Sequence, residues 1–177
     1  VMNSKEVILM DILDIKNVFN FVYILPFSEE RALIELTYFS SKVFSKNDYK
    51  SELKRYIKNK FNKLNYKIKS HEYGVIPMFK YQQPKSINHI KIGLAGNWVK
   101  QSTGYSLQNS FIYSKQLVDC IIKDKTPVIK ERKSSYLLDK IFCNFLNYNP
   151  HLATLFFECF FKKNNLKTLV KFLTNTA

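Results

Sequence analysis

Glycine and arginine are scarce in this sequence, and their scarcity excludes two common kinds of site. Only four glycines occur among the 177 residues, at positions 74, 93, 96 and 104. This spacing cannot form the G-x-G-x-x-G fingerprint that holds a dinucleotide pyrophosphate. Lysine supplies most of the 28 basic residues and most of the net charge of +14. Because bidentate recognition of phosphates and bases favours arginine, the lysines indicate a solvated surface, and we expect no nucleic-acid partner.

Cysteine is also sparse, and long apolar runs are missing. Cys120, Cys143 and Cys159 lie far apart, have no C-x-x-C spacing and form no metal-ligand pattern with the histidines. We therefore expect buried, reduced thiols in a cytoplasmic protein and no bound metal. No apolar run approaches the roughly 18 residues of a membrane span, and no signal-peptide pattern opens the chain. The first residues do not resemble a natural start, so we expect a fragment of a longer protein.

Apolar and aromatic residues, by contrast, are abundant, at 46% and 15% of the sequence. This composition argues against disorder and supplies a sizeable core. The first half is rich in β-prone runs and the last third has helical periodicity, which predicts an α/β fold, α+β within this chain. We divide the chain into a β-rich segment with one helix (1–88), a strand–glycine loop–helix element (89–123) and a helical region (124–177).

Local patterns place the secondary structure within these segments. The expected elements are strands at 7–12, 17–24 and 31–39 with a turn at 25–30, a helix from about Asp48, short strands at Tyr66–Ile68 and His89–Gly96, and helices after Gly104 and from Tyr136 to Leu173. Ser45 or Asn47 can cap the first helix. The apolar surface of the helix after Gly104 is expected to consist of Leu107, Phe111, Leu117, Val118, Ile121 and Ile122.

Two local patterns can carry chemistry. The glycine loop before the second helix can bring backbone N–H groups and a helix N-terminus to an anion such as a pyrophosphate, although its spacing alone favours an ordinary tight turn. Glu35 lies in an apolar strand, where alternation places Leu33 and Thr37 on its own face and Ile34 and Leu36 on the other. That face is either solvated or the lining of an apolar pocket in which Glu35 acts as a general acid.

At these two places the chain resembles a known family. Four blocks follow one another along residues 7–118. They are Phe21–Ser28, preceded by Leu9–Asp11; Ala32–Thr37; Glu72–Met78; and Ile92–Gly96 with Lys100 and Ser102–Ser106. Together they resemble the motifs of the lycopene β-cyclases, flavin-dependent enzymes that close carotenoid end groups into rings. The tail at 171–173 is similar to the ending of bacterial members, so the resemblance covers nearly the whole chain.

The resemblance implies a flavoprotein fold like that of p-hydroxybenzoate hydroxylase, with an antiparallel substrate sheet, the end of an FAD domain and C-terminal helices. It implies reduced FAD in a non-redox role, with NAD(P)H as the reductant. The implied cofactor contacts are Gly93, Gly96, Lys100, Ser102, Thr103, Gly104 and Tyr105. Leu94 stands where related flavoproteins often carry an aspartate, which favours a cyclase over a monooxygenase. Because the pyrophosphate fingerprint belongs to an N-terminal Rossmann portion outside this chain, we expect the fragment alone to be inactive and to bind FAD weakly.

By the same resemblance, Glu35 is the acid that protonates the terminal double bond of an acyclic end group of lycopene. Tyr23, Phe27 and Trp98 offer electron-rich faces to the resulting cation, although such aromatic residues more often belong to a core. The substrate resides in a membrane, so we expect peripheral association with the inner membrane. The basic, phenylalanine-rich tail at 136–173 either dips into the bilayer interface or packs on the protein.

Two other functions are compatible with parts of the pattern. A related FAD-dependent reductase or monooxygenase acting on an isoprenoid or aromatic substrate would keep the glycine loop but would not need Glu35. A basic, non-catalytic module that binds membrane or nucleic acid would need a clustered basic stripe, whereas the lysines are scattered along the sequence.

Overall fold

The structure is a computed structural model that describes residues 3–15, 18–61, 65–81, 89–128 and 133–174. The fold is α+β, with one three-stranded antiparallel sheet and five α-helices in these ranges. The chain forms two compact units. The first unit comprises Val1–Val75 and Leu146–Leu155, and the second comprises Ile76–Phe145 and Phe156–Ala177. The three-part division at residues 88 and 123 stays a prediction.

The sheet of the first unit is a meander of three strands in the order β1-β2-β3. The strands are β1 (Ile8–Ile15), β2 (Val18–Ser28) and β3 (Arg31–Phe39). The turn predicted at 25–30 is wrong in its extent, because β2 continues to Ser28 and only Glu29 and Glu30 form the turn. Pro26 pairs with Ala32 next to a register shift, where a residue without an N–H is tolerated in a strand.

Helix α1 (Lys46–Lys60) covers one face of the sheet. Ser45 caps it in a capping box: the Asp48 N–H donates to Ser45 Oγ at 3.2 Å, and the Ser45 N–H donates to the Asp48 carboxylate at 2.9 Å. The core beneath the helix consists of Val22, Ile24, Leu36 and Tyr56. Each fully buried side chain of this kind contributes about 1.5–3 kcal/mol, so this core holds α1 against the sheet.

Two predicted short strands are absent from the described residues. Tyr66–Ile68 and residues 89–92 belong to no strand, and Gly93–Gly96 forms a single 3-10 turn. A strand is stable only when a neighbour pairs with its backbone, and neither segment has a sheet partner among the described residues. An apolar run alone is therefore insufficient evidence for a strand.

Four further helices follow, and they confirm the helical prediction for the last third. They are α2 (Leu107–Ile122), α3 (Lys133–Tyr148), α4 (Ala153–Lys163) and α5 (Leu166–Thr174). The buried side of α2 carries Asn109 and Tyr113 and is not the apolar surface expected from the sequence. Most of the apolar positions face solvent instead, and we call these exposed residues the α2 stripe: Leu107, Phe111, Val118, Ile121 and Ile122.

Phenylalanine rings dominate the packing of the helices in the second unit. The ring of Phe142 contacts those of Phe156, Phe157 and Phe172, with centroids 5.5–5.8 Å apart. Such contacts favour the packing interpretation of the tail, since these rings are engaged with one another.

Within the described ranges, no helix combines the length and apolarity that a membrane crossing requires. The expectation of buried thiols is wrong, because Cys120 and Cys143 are only half-buried and Cys159 lies exposed on α4.

Candidate functional site

Glu35 lies in the middle of β3, on the face of the sheet opposite helix α1. Its neighbour Leu36 is buried in the core under α1, so strand alternation directs the Glu35 side chain to the other face. The carboxylate is exposed. It accepts a hydrogen bond of 3.3 Å from Thr37 Oγ1, which lies on the same face. The alternation predicted from the sequence is confirmed.

Aromatic side chains surround Glu35 on this face. Tyr23 is its direct partner across the β2–β3 pair. Farther along the same face, the rings of Phe19, Phe21 and Phe39 form a cluster with centroids 5.7–6.1 Å apart. A carboxyl group on an aromatic surface can deliver a proton to an apolar substrate that lies on that surface. We call this surface the Glu35 face.

Phe27 lies near the hairpin turn and is 59% exposed. The guanidinium carbon of Arg31 sits 5.6 Å from the centroid of its ring. This cation–π contact shows that the ring can face a positive charge, although Arg31 already occupies one side of it. Phe27 therefore has one open side for a substrate.

The glycine loop of the second unit is a compact turn. Gly93 opens the 3-10 turn, and its carbonyl accepts a hydrogen bond from the Trp98 N–H at 2.9 Å. Gly96 approaches the backbone of Lys91 so closely that a Cβ atom would lie 2.9 Å from the Lys91 carbonyl carbon. Gly104 has a φ of +75°, a conformation that glycine adopts without strain. These contacts explain why glycine is needed at the last two positions.

Trp98 anchors this loop to helix α2 in the core of the second unit. Its ring packs edge-on against Tyr113 with a centroid distance of 5.8 Å. Its carbonyl accepts a hydrogen bond of 2.8 Å from Asn109 Nδ2. The structure thus gives Trp98 a packing role, and it belongs to the second unit whereas Glu35 belongs to the first.

Lys100 and Ser102 point into the second unit, where both bind Asp139 of helix α3. The Lys100 ammonium forms an ion pair with Asp139 Oδ1, and Ser102 Oγ donates to the same oxygen at 2.7 Å. Lys100 is only 5% exposed, and its ammonium lies 4.9 Å from the ring centroid of Phe172. A buried charge needs such a partner, so the loop and the helices are tied together at this point.

Asp139 was not among the site residues predicted from the sequence, although the sequence contains one indication of its role. Asp139 shares a helix side with Phe142, Cys143 and Leu146, which lie three, four and seven positions later. An acidic residue on the apolar side of a helix requires a buried partner. Because Lys100 and Ser102 precede it by 39 and 37 residues, local spacing does not reveal that partner.

The outer part of the loop is the part that a ligand could reach. Gly93 has open space around it, and Tyr105 is 48% exposed. Helix α2 begins two residues after Tyr105, and its N-cap Ser106 makes no side-chain capping bond. The first N–H groups of a helix attract anions such as phosphate, so Thr103, Gly104 and Tyr105 border a surface that suits an FAD phosphate or carbonyl edge.

The space beneath the loop is too small for a flavin ring. A cavity of about 10 Å³ lies among Leu94, Asn97 and Gln101 and the segment at 77–81. A cavity of this size holds one water molecule. A flavin would therefore contact the outside of the loop rather than its interior.

Comparison with known proteins decides the family. The family model described as lycopene cyclase protein matches residues 2–175. The chain belongs to the lycopene cyclase family. No curated protein and no solved structure matches it significantly. The resemblance of the motifs to this family is thus confirmed. Membership of the family indicates a carotenoid cyclase function.

Cys143 closes the buried cluster of this lycopene cyclase chain. Its thiol donates to the Gln101 carbonyl at 3.5 Å. Burial and the charge of Asp139 raise the pKa of Cys143 and Lys100 opposes them, so that the pKa is raised to about 11. Cys143 is therefore a neutral, packed thiol at physiological pH. Gln101 Nε2 is buried without a hydrogen-bond partner among the described residues.

A second polar cluster of the lycopene cyclase chain joins α1 to β1 in the first unit. Tyr56 donates to Asp11 Oδ2 at 2.6 Å, and Lys60 Nζ lies 2.8 Å from the same oxygen. Burial alone would raise the pKa of Asp11, but the bonds from Lys60 and Tyr56 outweigh it and lower the pKa. An open cleft of about 500 Å³ borders this cluster. The ionic groups of the cluster, Asp11 and Lys60, are already paired with each other, which indicates a structural role for the cluster.

Proposed function

We propose that this chain provides the acid and the substrate face for the cyclisation of acyclic carotenoid end groups, which converts lycopene to β-carotene without net oxidation. The observation that carries the proposal is the position of Glu35. The carboxyl group of the family motif lies on an aromatic sheet face, directly opposite Tyr23, and Thr37 is the one partner with which it makes a described hydrogen bond.

The proposed reaction is an isomerisation in which every proton is accounted for. The carboxylic acid of Glu35 donates a proton to the terminal C=C bond of the end group, which leaves a tertiary carbocation. The next double bond along the chain attacks that cation and forms the new C–C bond of the ring. The Glu35 carboxylate, directly or through a water molecule, then takes a proton from a ring carbon, which restores a double bond and returns Glu35 to its acid form. A positioned general acid contributes about 10²–10⁴-fold to such a rate.

Aromatic side chains of the Glu35 face support the cation. Tyr23 on β2 is the cross-strand partner of Glu35 and lies on the same face, so its ring can face the positive charge that forms beside the acid. A desolvated cation–π contact contributes about 2 kcal/mol. We assign Tyr23 and Phe27 to the substrate surface. Trp98 is not part of this face, because it is buried in the second unit.

We propose FAD as the cofactor, reduced by NAD(P)H, within a fold like that of p-hydroxybenzoate hydroxylase. Reduced FAD supplies electrostatic support for the cation or a group for proton handling. The residues that would contact it are Gly93, Thr103, Gly104 and Tyr105, which lie on the outer side of the loop. Gly96 shapes the turn from within.

We further propose that a nucleotide-binding portion of the enzyme packs against α2. The α2 stripe exposes five large apolar side chains along one side of this helix. Exposed apolar patches of this kind mark protein contact surfaces. A partner that covered the stripe would also approach the helix N-terminus beside the glycine loop.

We propose peripheral binding to the inner membrane because the substrate resides in a membrane, and the exposed lysines of α1 form one basic surface on the side of the sheet away from Glu35. Lys46, Lys50, Lys54 and Lys58 are exposed and recur every fourth residue along this helix. Like charges at this spacing destabilise a helix, and anionic headgroups would relieve that repulsion. Each lysine near an anionic bilayer contributes about 1 kcal/mol to binding.

Pigment chromatography of lycopene-accumulating cells tests the proposal. We expect the complete coding sequence to produce cyclic carotenoids, and Glu35→Gln to abolish them while the protein stays folded. Glu29→Gln is the matched control, because Glu29 is an exposed carboxylate in the same hairpin. Substantial β-carotene from Glu35→Gln would exclude Glu35 as the acid. Unchanged lycopene with the wild-type protein, folded and with flavin bound, would favour a related reductase or monooxygenase.

A further inference from the structure

The buried cluster around Asp139 changes how two motif residues of the loop are interpreted. Lys100 and Ser102 match the family's flavin motif, yet both side chains are buried and bind the same carboxylate oxygen. The Lys100 ammonium is enclosed further by the ring of Phe172. A side chain with these contacts cannot reach a ligand outside the loop without leaving them.

We propose that Asp139 is a positioning residue, which holds Lys100 and Ser102 inside the protein and thereby sets the turn from Lys100 to Tyr105 in its cofactor-binding conformation. Lys100 and Ser102 themselves make no contact with the cofactor. This inference rests on the proposed function, because it takes FAD to be the molecule that the turn meets.

The backbone of the turn explains how the effect is transmitted. The Lys100 N–H donates to the Tyr105 carbonyl at 2.8 Å. The Lys100 carbonyl accepts from the Gly104 N–H at 2.8 Å and from the Thr103 N–H at 3.3 Å. Both backbone groups of Lys100 therefore fix the three residues that border the proposed cofactor surface. When Asp139 holds the Lys100 side chain, it also holds these three residues.

The alternative is that Lys100 binds a phosphate of the cofactor directly. The two possibilities predict different results when both charges are removed. If Lys100 and Asp139 act on each other, each single neutral substitution leaves one buried charge without its partner. The double substitution removes both charges, so no unpaired charge stays buried and FAD affinity is regained. If Lys100 binds the cofactor, the double variant is at least as defective as Lys100→Met.

The experiment is a titration of the complete apoprotein with FAD, followed by quenching of flavin fluorescence. The variants are Asp139→Asn, Lys100→Met and the double variant of both. We expect each single variant to bind FAD about tenfold more weakly and the double variant to bind within about threefold of wild type. Asp119→Asn and Lys140→Met are the controls, since they make the same changes at exposed positions of α2 and α3.

Hydrogen exchange of the same proteins without FAD gives a readout that does not depend on the cofactor. The amides of Lys100, Thr103 and Gly104 should exchange faster in both single variants and regain protection in the double variant. Unchanged protection in Asp139→Asn would overturn the positioning role.

The titration also separates this inference from the proposed function. A wild-type protein that binds no FAD would contradict the proposed cofactor and, with it, the cofactor part of this inference. Equal FAD affinity in wild type and Asp139→Asn would overturn only the role of Asp139. A double variant as weak as Lys100→Met would show that Lys100 contacts the cofactor.

Discussion

Glu35 and Asp139 are both carboxylates of the family-matched region, but their surroundings differ in every respect. Glu35 lies exposed on a strand of the first unit and has a described hydrogen bond with a single neighbour, Thr37. Asp139 is buried on a helix of the second unit, where a lysine and a serine share one of its oxygens. A group that must transfer a proton has to remain accessible, whereas a group that holds a loop must have its bonds satisfied. The comparison therefore separates a chemical role from a structural one.

Neutralising each carboxylate provides the strongest test of this difference. Asp139→Asn leaves the Lys100 charge buried without its counter-ion, and we expect a loss of about 3–5 kcal/mol in the free energy of unfolding. Glu35→Gln is expected to change this free energy by less than about 0.5 kcal/mol, because the side chain is exposed. Urea denaturation of both variants measures the two values. Equal losses would show that Glu35 is also a structural residue.

Asp11 is an intermediate case, since it is partly exposed but bound by Tyr56 and Lys60. Its pKa is lowered in the folded protein, so its stabilising contribution is present above the pKa of the unfolded chain and is lost as the pH falls through the folded value. Tyr56→Phe removes one bond to the carboxylate and should cost about 1 kcal/mol at neutral pH. That cost should shrink below pH 3.8, the ordinary value for an aspartate. A cost that does not vary with pH would mean that the hydroxyl acts independently of Asp11.

Thr37→Val should produce the smallest effect. It removes the hydrogen bond to Glu35, which at 3.3 Å is long for one between oxygen atoms. We expect a change of less than about 0.5 kcal/mol in the free energy of unfolding. Cyclised carotenoid from cells expressing this variant should remain close to the wild-type amount. A loss of product as complete as that of Glu35→Gln would show that Thr37 takes part in proton transfer.

Much of the first unit could be predicted from the sequence because its signals are local. Alternation separated the two sides of β3, and Ser45 was one of the two residues expected to cap α1. The extent of β2 could not be predicted, because Pro26 is a turn signal that a bulge next to it accommodates. The strand expected at His89–Gly96 failed for a different reason, since pairing depends on distant residues that no local pattern specifies.

The candidate site was predicted as a set of residues but not as an arrangement. Motif similarity identified Glu35 and the glycine loop, and alternation placed Glu35 on the face opposite Ile34 and Leu36. The sequence could not reveal that Lys100 and Ser102 point inward, because their partner Asp139 lies on another element far along the chain. Contacts of long sequence separation are set by tertiary packing, which a motif does not record.

The α2 stripe has a practical consequence for handling this protein. A helix of 16 residues is about 24 Å long, and much of one side of α2 is hydrocarbon in contact with water. Surfaces of this kind adsorb to each other as concentration rises. Purified alone, these 177 residues should bind a hydrophobic dye strongly, self-associate on warming and stay dispersed in mild detergent.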